Sequence, residues 1–310
     1  MTRLVIDTDP GVDDAHAIML AFAHPGVTVE AICTIAGNVR LERTTANACT
    51  ILDNLGVPPE RTPIFAGCDR ALVAADSRAT HVHGDDGLGN SGYPPSSRKV
   101  ESEHAALALI RLANESPGAL TLAAIGPLTN LALATRLDPT LPQKYKRLVV
   151  MGGAIRGTGN MPRPSTEFNL FTDPEAAHIV FQNWPGLSLL SWETTMQYMI
   201  SNEQVQTLLS ASTPKAGFFR RITEHTLAFV RERGRAGLFA PDPLAMAAAV
   251  EPEIVTRAEM RAVTVELNGT HTRGQTTVDW SGLTGHAPNV NVILEVNFER
   301  FWNMMRASVA

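Results

Sequence analysis

The chain of 310 residues carries only three cysteines, and no two of them stand in a CxxC spacing. That excludes a cysteine-based zinc site and a disulfide framework. Cys33 falls in an apolar strand pattern, Cys49 in a helical one, and Cys68 follows Gly67 in a loop. No apolar run is long enough to span a bilayer. The net charge is −5 with no basic run or stripe, so nucleic-acid binding has no electrostatic support. The first strand-like run begins at residue 3. That leaves no room for a signal peptide, and a cytoplasmic protein is expected. Repeats, low-complexity tracts and linker-like composition are also missing. With 44 % hydrophobic and 18 % charged residues, the chain reads as one globular domain over 1–310.

What the chain does have is acid, concentrated in one place. Asp7, Asp9, Asp13 and Asp14 fall within eight residues, directly after the apolar run Leu4-Val5-Ile6. The run reads as a buried strand, and Pro10-Gly11 as a turn. From Asp14 onward the apolar spacing predicts a helix. Asp13 and Asp14 then sit at a helix start, where the dipole favours negative charge. One acid suffices for a cap, and four do not follow from capping. Two unit charges about 4 Å apart repel by roughly 4 kcal/mol at an effective dielectric of about 20. A bound cation or raised pKa values must relieve that repulsion. An all-oxygen ligand set selects a hard cation, Ca²⁺ or Mg²⁺.

Beyond this stretch, β-like runs at 28–36, 62–66, 120–125, 148–151 and 187–190 alternate with helical patterns at 41–55, 101–115 and 174–182. The alternation predicts an α/β fold: an open, mostly parallel, Rossmann-like sheet flanked by helices. In such sheets the ligand crevice lies outside the carboxyl ends of the strands. Asp7, Asn38, Ile125 and Met151 should therefore converge from distant parts of the chain. Residues 69–100 and 154–173 read as two long loops. A further helical stretch spans 215–230. Runs at 261–267, 274–279 and 290–297 without intervening helices suggest a small added antiparallel C-terminal section. Asn130 reads as a cap or turn residue, and His16 as packed or solvent-facing.

The acid motif, together with Ala36-Gly37-Asn38, Gly126-Pro127-Leu128-Thr129-Asn130, Met151-Gly152-Gly153-Ala154, Glu167-Phe168-Asn169 with Asp173-Pro174-Glu175-Ala176-Ala177, and the stretch Gly274 to Trp280, resembles the nucleoside hydrolases of the inosine-uridine type. The resemblance spans almost the whole chain. It implies Ca²⁺-dependent hydrolysis of the N-glycosidic bond of ribonucleosides, in a homodimer or homotetramer. It places Ca²⁺ on Asp9, Asp14, the Ile125 carbonyl and Asp242. It makes Asp13 the general base, with Asn38 orienting Asp13 or the water and Asp7 in close support. Asn160, Glu167 and Asn169 would hold ribose hydroxyls, Met151 would line the sugar pocket, and His83 would lie near ribose or base. The chemistry suits these residue types: inverting cleavage through an oxocarbenium-like sugar needs a carboxylate to activate water opposite the leaving group.

The chain departs from the family in two places. Seven positions separate Asn160 from Glu167, where many members have six. Many purine-active members also place a leaving-group histidine immediately before the last aspartate ligand, and here that position is Pro241. His83, His225 and Tyr198 are the candidates to replace it, and Phe218, Phe219 and Phe229 could border the base. The other functions open to this sequence are a non-catalytic Ca²⁺-dependent nucleoside-binding protein and a Mg²⁺-dependent phosphohydrolase of the haloacid dehalogenase type, which also opens with strand-DxD.

Overall fold

Runs rich in β-branched and apolar residues, stopped by Gly, Pro or Asn, become the strands of a central sheet in the computed structural model, which describes residues 1–310. The first half alternates regularly: β1 (Thr2–Thr8), α1 (Val12–Ala23), β2 (Val27–Thr34), α2 (Leu41–Asn54), β3 (Ile64–Ala66), the short α3 (Thr80–His83), α4 (Ala105–Glu115), β4 (Leu120–Ala124), α5 (Thr129–Leu137), α6 (Leu141–Lys144) and β5 (Arg147–Met151). The second half continues with α7 (Phe168–Thr172), α8 (Pro174–Asn183), β6 (Leu187–Leu190), α9 (Trp192–Met196), β7 (Ile200–Ser201), α10 (Asn202–Ser210), α11 (Pro214–Glu232), β8 (Gly237–Leu238) and α12 (Pro241–Val250). It closes with β9 (Val255–Arg261), β10 (Val263–Val265), β11 (Thr276–Val278), β12 (Val290–Val296) and α13 (Phe298–Ser308).

Eight strands form the sheet in the order β3-β2-β1-β4-β5-β6-β12-β9. All neighbours are parallel except β9, which runs antiparallel along β12 at the edge. The chain winds outward from β1 in one direction through β2 and β3, then returns to continue from β4 on the other side. The crevice at such a reversal is where open α/β sheets take their ligands. Register aligns Asp7 with Cys33 of β2 and with Ala124 of β4. The chain leaving these three strands therefore carries Asp9, Asn38 and Ile125 over the same sheet edge.

Successive residues of the parallel strands are buried on opposite faces, which is why the strands read as continuous apolar runs. Ile6 packs with Ile18, Phe219, Leu244 and Phe301 on one face. Val5 packs with Leu109, Leu131, Phe181 and Val292 on the other. Helix α12 is buried at every position, and its alanines let it lie close against α1. Two helix N-termini are thereby brought side by side, each with acid in its first turn: Asp13 and Asp14 in α1, and Asp242 in α12.

The C-terminal runs differ from expectation. Of these runs only those of β10 and β11 form a separate antiparallel pair; a second small pair, β7 with β8, lies earlier in the chain. The run 290–297 becomes β12, inside the main sheet and parallel to β6, because burial on both faces suits its continuous apolar sequence. The loop 69–100 holds the single turn α3, and the loop 154–173 holds α7. The helix expected from 101 starts at Ala105, where His104 Nδ1 accepts from the Ala106 N–H at 3.2 Å. No helix is long and apolar enough to cross a membrane.

Candidate active site

Above the carboxyl ends of β1, β4 and β5 lies a cavity of about 740 Å³. Asp9, Asp13, Asn38, His83, Ile125, Met151, Asn160, Glu167, Asn169 and Asp242 all line it. These residues lie up to 233 positions apart, and the sheet edge brings them to one place.

The acids form its floor. Asp14 sits just beneath, its carboxylate accepting from the Thr8 hydroxyl at 2.5 Å, the Gly11 N–H at 2.9 Å and Asn38 Nδ2 at 3.0 Å. Asp9 Oδ2 accepts from the Asn38 N–H at 2.7 Å. Gly37 and Gly126 press against that carboxylate so closely that a Cβ at either would come within 2.1 Å and 2.6 Å of its oxygens. Carboxylate oxygens of Asp13, Asp14 and Asp242 come within 4.8 Å of one another. Asp13 Oδ1 is buried without a hydrogen-bond partner. Burial first, and then the neighbouring carboxylates, push Asp9 and Asp242 well above the usual carboxylate range. Burial also raises Asp13 and Asp14. No lysine or arginine forms an ion pair with any of the four. An orphaned carboxylate oxygen among mutually repelling acids with no cationic partner fits a hard divalent cation.

Several expectations are corrected here. Asn38 does not orient Asp13: its backbone and side chain hold Asp9 and Asp14 instead. Asp7 does not reach the cavity. It lies behind it in β1, held by Asn130 Nδ2 at 2.9 Å. Asn130 is neither a cap nor a turn residue. It sits fully buried in α5, also donating to the Thr34 carbonyl and accepting from the Cys68 N–H at 2.8 Å.

Glu167 is buried. It is 2 % exposed and caps α7, accepting from the N–H groups of Gly153 at 2.9 Å and Asn169 at 3.0 Å. Burial pushes its carboxyl up to about 7. Asn169 spends both amide hydrogens on the carbonyls of Ile125 and Met151, each at 3.1 Å. That fixes the amide and leaves its Oδ1 as the free acceptor. Asn160 is exposed at the rim, its N–H donating to the Thr166 carbonyl at 3.0 Å.

His83 is buried against the start of α1. Its Nδ1 accepts from the Val12 N–H at 3.1 Å and lies 3.7 Å from Asp13. Burial holds it down to about 4, so it is a neutral imidazole and not an ion-pair partner of Asp13. His16 is packed, as expected, stacked on Phe219 with ring centroids 4.1 Å apart and bonded to Thr223. His225 does not line the cavity; its helix turns Thr226, Phe229 and Val230 to it instead. Of the three phenylalanines, Phe218 and Phe219 are core residues and only Phe229 borders the space. The Tyr198 hydroxyl is taken up by the Val296 N–H at 2.9 Å.

Sequence reasoning missed Trp192, His81, Arg233, Arg235 and Phe239, which line the cavity together with Phe229. Nothing local marks them. Arg233, Arg235 and Phe239 become wall residues because α11, β8 and the following turn fold over the sheet edge, while α3 brings His81 and α9 brings Trp192.

Comparison with known proteins places the chain in one family. The family model described as inosine-uridine preferring nucleoside hydrolase matches residues 4–303. The inosine-uridine preferring nucleoside hydrolase of Leishmania major is 36 % identical over 303 residues, covering 97 % of this chain and 95 % of that one. The pyrimidine-specific ribonucleoside hydrolase RihB of Escherichia coli is 33 % identical over 99 % of this chain and 96 % of its own. A solved plant nucleoside hydrolase superposes with a TM-score of 0.93 at 33 % identity, over 99 % of this chain and 98 % of that chain. By sequence over nearly its whole length and by fold, the chain belongs to the inosine-uridine preferring nucleoside hydrolases, a family of N-glycosyl hydrolases.

Proposed function

We propose that this chain hydrolyses the N-glycosidic bond of ribonucleosides to ribose and free base, with a bound Ca²⁺ ion and a carboxylate that takes the proton of the attacking water. The observation that carries this reading is the convergence of buried, unneutralised carboxylates with Glu167 and Asn169 in one cavity. Asp9, Asp14, Asp242 and the Ile125 carbonyl would hold the ion. When bound, it would lower the pKa of water and orient the sugar hydroxyls.

The protein's own groups supply the rest. Asn169 offers a fixed acceptor to a ribose hydroxyl. Glu167 and Asn160 stand at the cavity wall and rim to read the remaining ones. Met151 supplies an apolar wall to the sugar. The negative floor favours the positive charge that develops on the ribosyl carbon as the bond breaks. Asp13 keeps 23 % of its side chain exposed, which leaves it free to accept a proton from water. The grouping of Asp13 with Asp14 and Asp242 supports a second reading, in which Asp13 joins the cation ligands and Asp9 is the base.

The test is turnover of several ribonucleosides with and without a chelator. Release of free base that stops on chelation and returns with Ca²⁺ supports the reading. Turnover insensitive to chelation removes the cation from it. The family resemblance also leads us to expect a homodimer or homotetramer, which sedimentation of the purified chain would check.

A further inference from the structure

The cavity is graded in charge. Its floor is acid and buried, with Asp9 at 1 % exposure and Asp242 at 4 %. Nearer the surface, besides Arg78, which pairs with Asp76, stand two guanidiniums, exposed Arg233 and half-buried Arg235, on the turn between α11 and β8. Arg233 lies over the Phe229 ring at 4.5 Å, and Arg235 over the Phe239 ring at 5.4 Å. Both rings line the same cavity. Neither guanidinium has a carboxylate partner; burial and Arg233 draw Arg235 down from its usual value, and no acid offsets them.

Proton donors for a departing base are scarce in the cavity. Pro241 has no titratable side chain. His225 and Tyr198 lie outside the lining, and His83 is a buried neutral imidazole whose Nδ1 is occupied. Of the other two histidines of the lining, His16 is stacked on Phe219 and held down to about 3 by burial, and His81 is drawn below its usual value by burial and by Arg233. A ribosyl group seated on the acids directs its base toward the mouth, away from the water-activating carboxylates.

We propose that Arg233 and Arg235 hold the nucleobase and stabilise the negative charge that develops on it, in place of a general acid. The inference rests on the hydrolase reading above. The C1′–N bond breaks and its electron pair leaves on the base. Water forms the new C1′–O bond and gives its proton to the floor carboxylate. The base departs as an anion paired with guanidinium and takes its proton from solvent afterwards. Guanidinium stays protonated and only donates hydrogen bonds. It therefore suits a base whose carbonyl oxygen receives the charge, as in hypoxanthine or uracil. An amino base such as adenine turns a donor toward a donor.

The test compares kcat/KM for inosine, adenosine and p-nitrophenyl riboside in wild type, Arg233→Met, Arg235→Met, the double variant and Arg235→Lys. Nitrophenolate is already a stable anion and needs little help. The double variant should lower the inosine to nitrophenyl riboside ratio by about 100-fold, the order seen when a charge-stabilising donor is removed. The inosine to adenosine preference should shrink with it, and Arg235→Lys should recover part of both ratios. Unchanged ratios, or equal losses on all three substrates, overturn the proposal. A wild type that cleaves no riboside sinks the hydrolase reading itself, and this inference with it. Cleavage of the nitrophenyl riboside with unchanged ratios sinks the inference alone. Thermal melts of the methionine variants control for folding.

Discussion

Asn130 donates its side-chain amide to Asp7 Oδ2 at 2.9 Å across 123 residues of sequence. The same side chain serves the Thr34 carbonyl and the Cys68 N–H, so three segments meet at one buried amide. Asn130→Ala leaves all three groups unsatisfied in a site with no access to water. Each such orphan costs about 1–3 kcal/mol, so a loss of roughly 3 kcal/mol or more is expected in urea denaturation. A loss under about 1 kcal/mol would show that the site repacks or admits water.

Asp7 itself should make stability depend on pH. Burial pushes its carboxyl up to about 7, against the ordinary aspartate value of 3.8. A group whose folded value lies above its unfolded value contributes stability that is complete below the unfolded value. That contribution is lost as pH rises through the folded one. Relative to wild type, Asp7→Asn should therefore gain stability between about pH 4 and pH 8. Denaturation curves of both proteins at four pH values, in chelator, measure the difference. A difference that stays flat across this range means that Asp7 titrates normally.

The acid floor predicts metal-linked stability. Chelator-treated protein should bind one Ca²⁺ per chain by calorimetry, with oxygen ligands at roughly 2.3–2.6 Å in a crystal structure. Thermal stability should rise with Ca²⁺ concentration, because the ion binds the folded state alone. Asp9→Ala and Asp242→Ala should each weaken binding strongly. Full affinity in Asp9→Ala would remove that residue from the ligand set.

Asp13→Asn and Asp9→Asn discriminate between the two candidate bases. The variant that loses the base should lose about 10²–10⁴-fold in kcat while keeping Ca²⁺. The variant that loses a ligand should lose Ca²⁺ affinity as well. If Asp13→Asn turns over like wild type, the base is elsewhere.

Glu167→Gln probes a carboxylate that caps a helix and lines the cavity. A glutamine with its oxygen at the Oε2 position still accepts from Gly153 and Asn169, but its NH2 then faces the Asn169 N–H at the Oε1 position, donor against donor. A stability loss of about 1–2 kcal/mol is expected, with a rise in KM for ribonucleosides. An unchanged KM would confine Glu167 to its capping role.

The sequence alone determined what depends on neighbours along the chain. Asp9, Asp13 and Asp14 share one turn and one helix start, so their crowding and the oxygen chemistry it implies are visible within eight residues. The alternation of apolar runs with helical spacing is equally local, and it predicts the parallel sheet and the crevice at its carboxyl edge. Tertiary structure alone decided which distant residues meet there and which way they face. The 215–230 helix has several faces, and periodicity does not say that Phe229 borders the cavity while Phe218 is core and His225 looks elsewhere. Packing against α1 and β8 makes that choice. Asp242 reaches the acids because α12, buried all round, sets its N-terminus beside that of α1. Asn130 finds Asp7 only when β1 and α5 pack together. Arg233 and Arg235 carry no local signal, because an arginine after a helix looks the same whether it faces bulk water or the mouth of an acid-floored cavity.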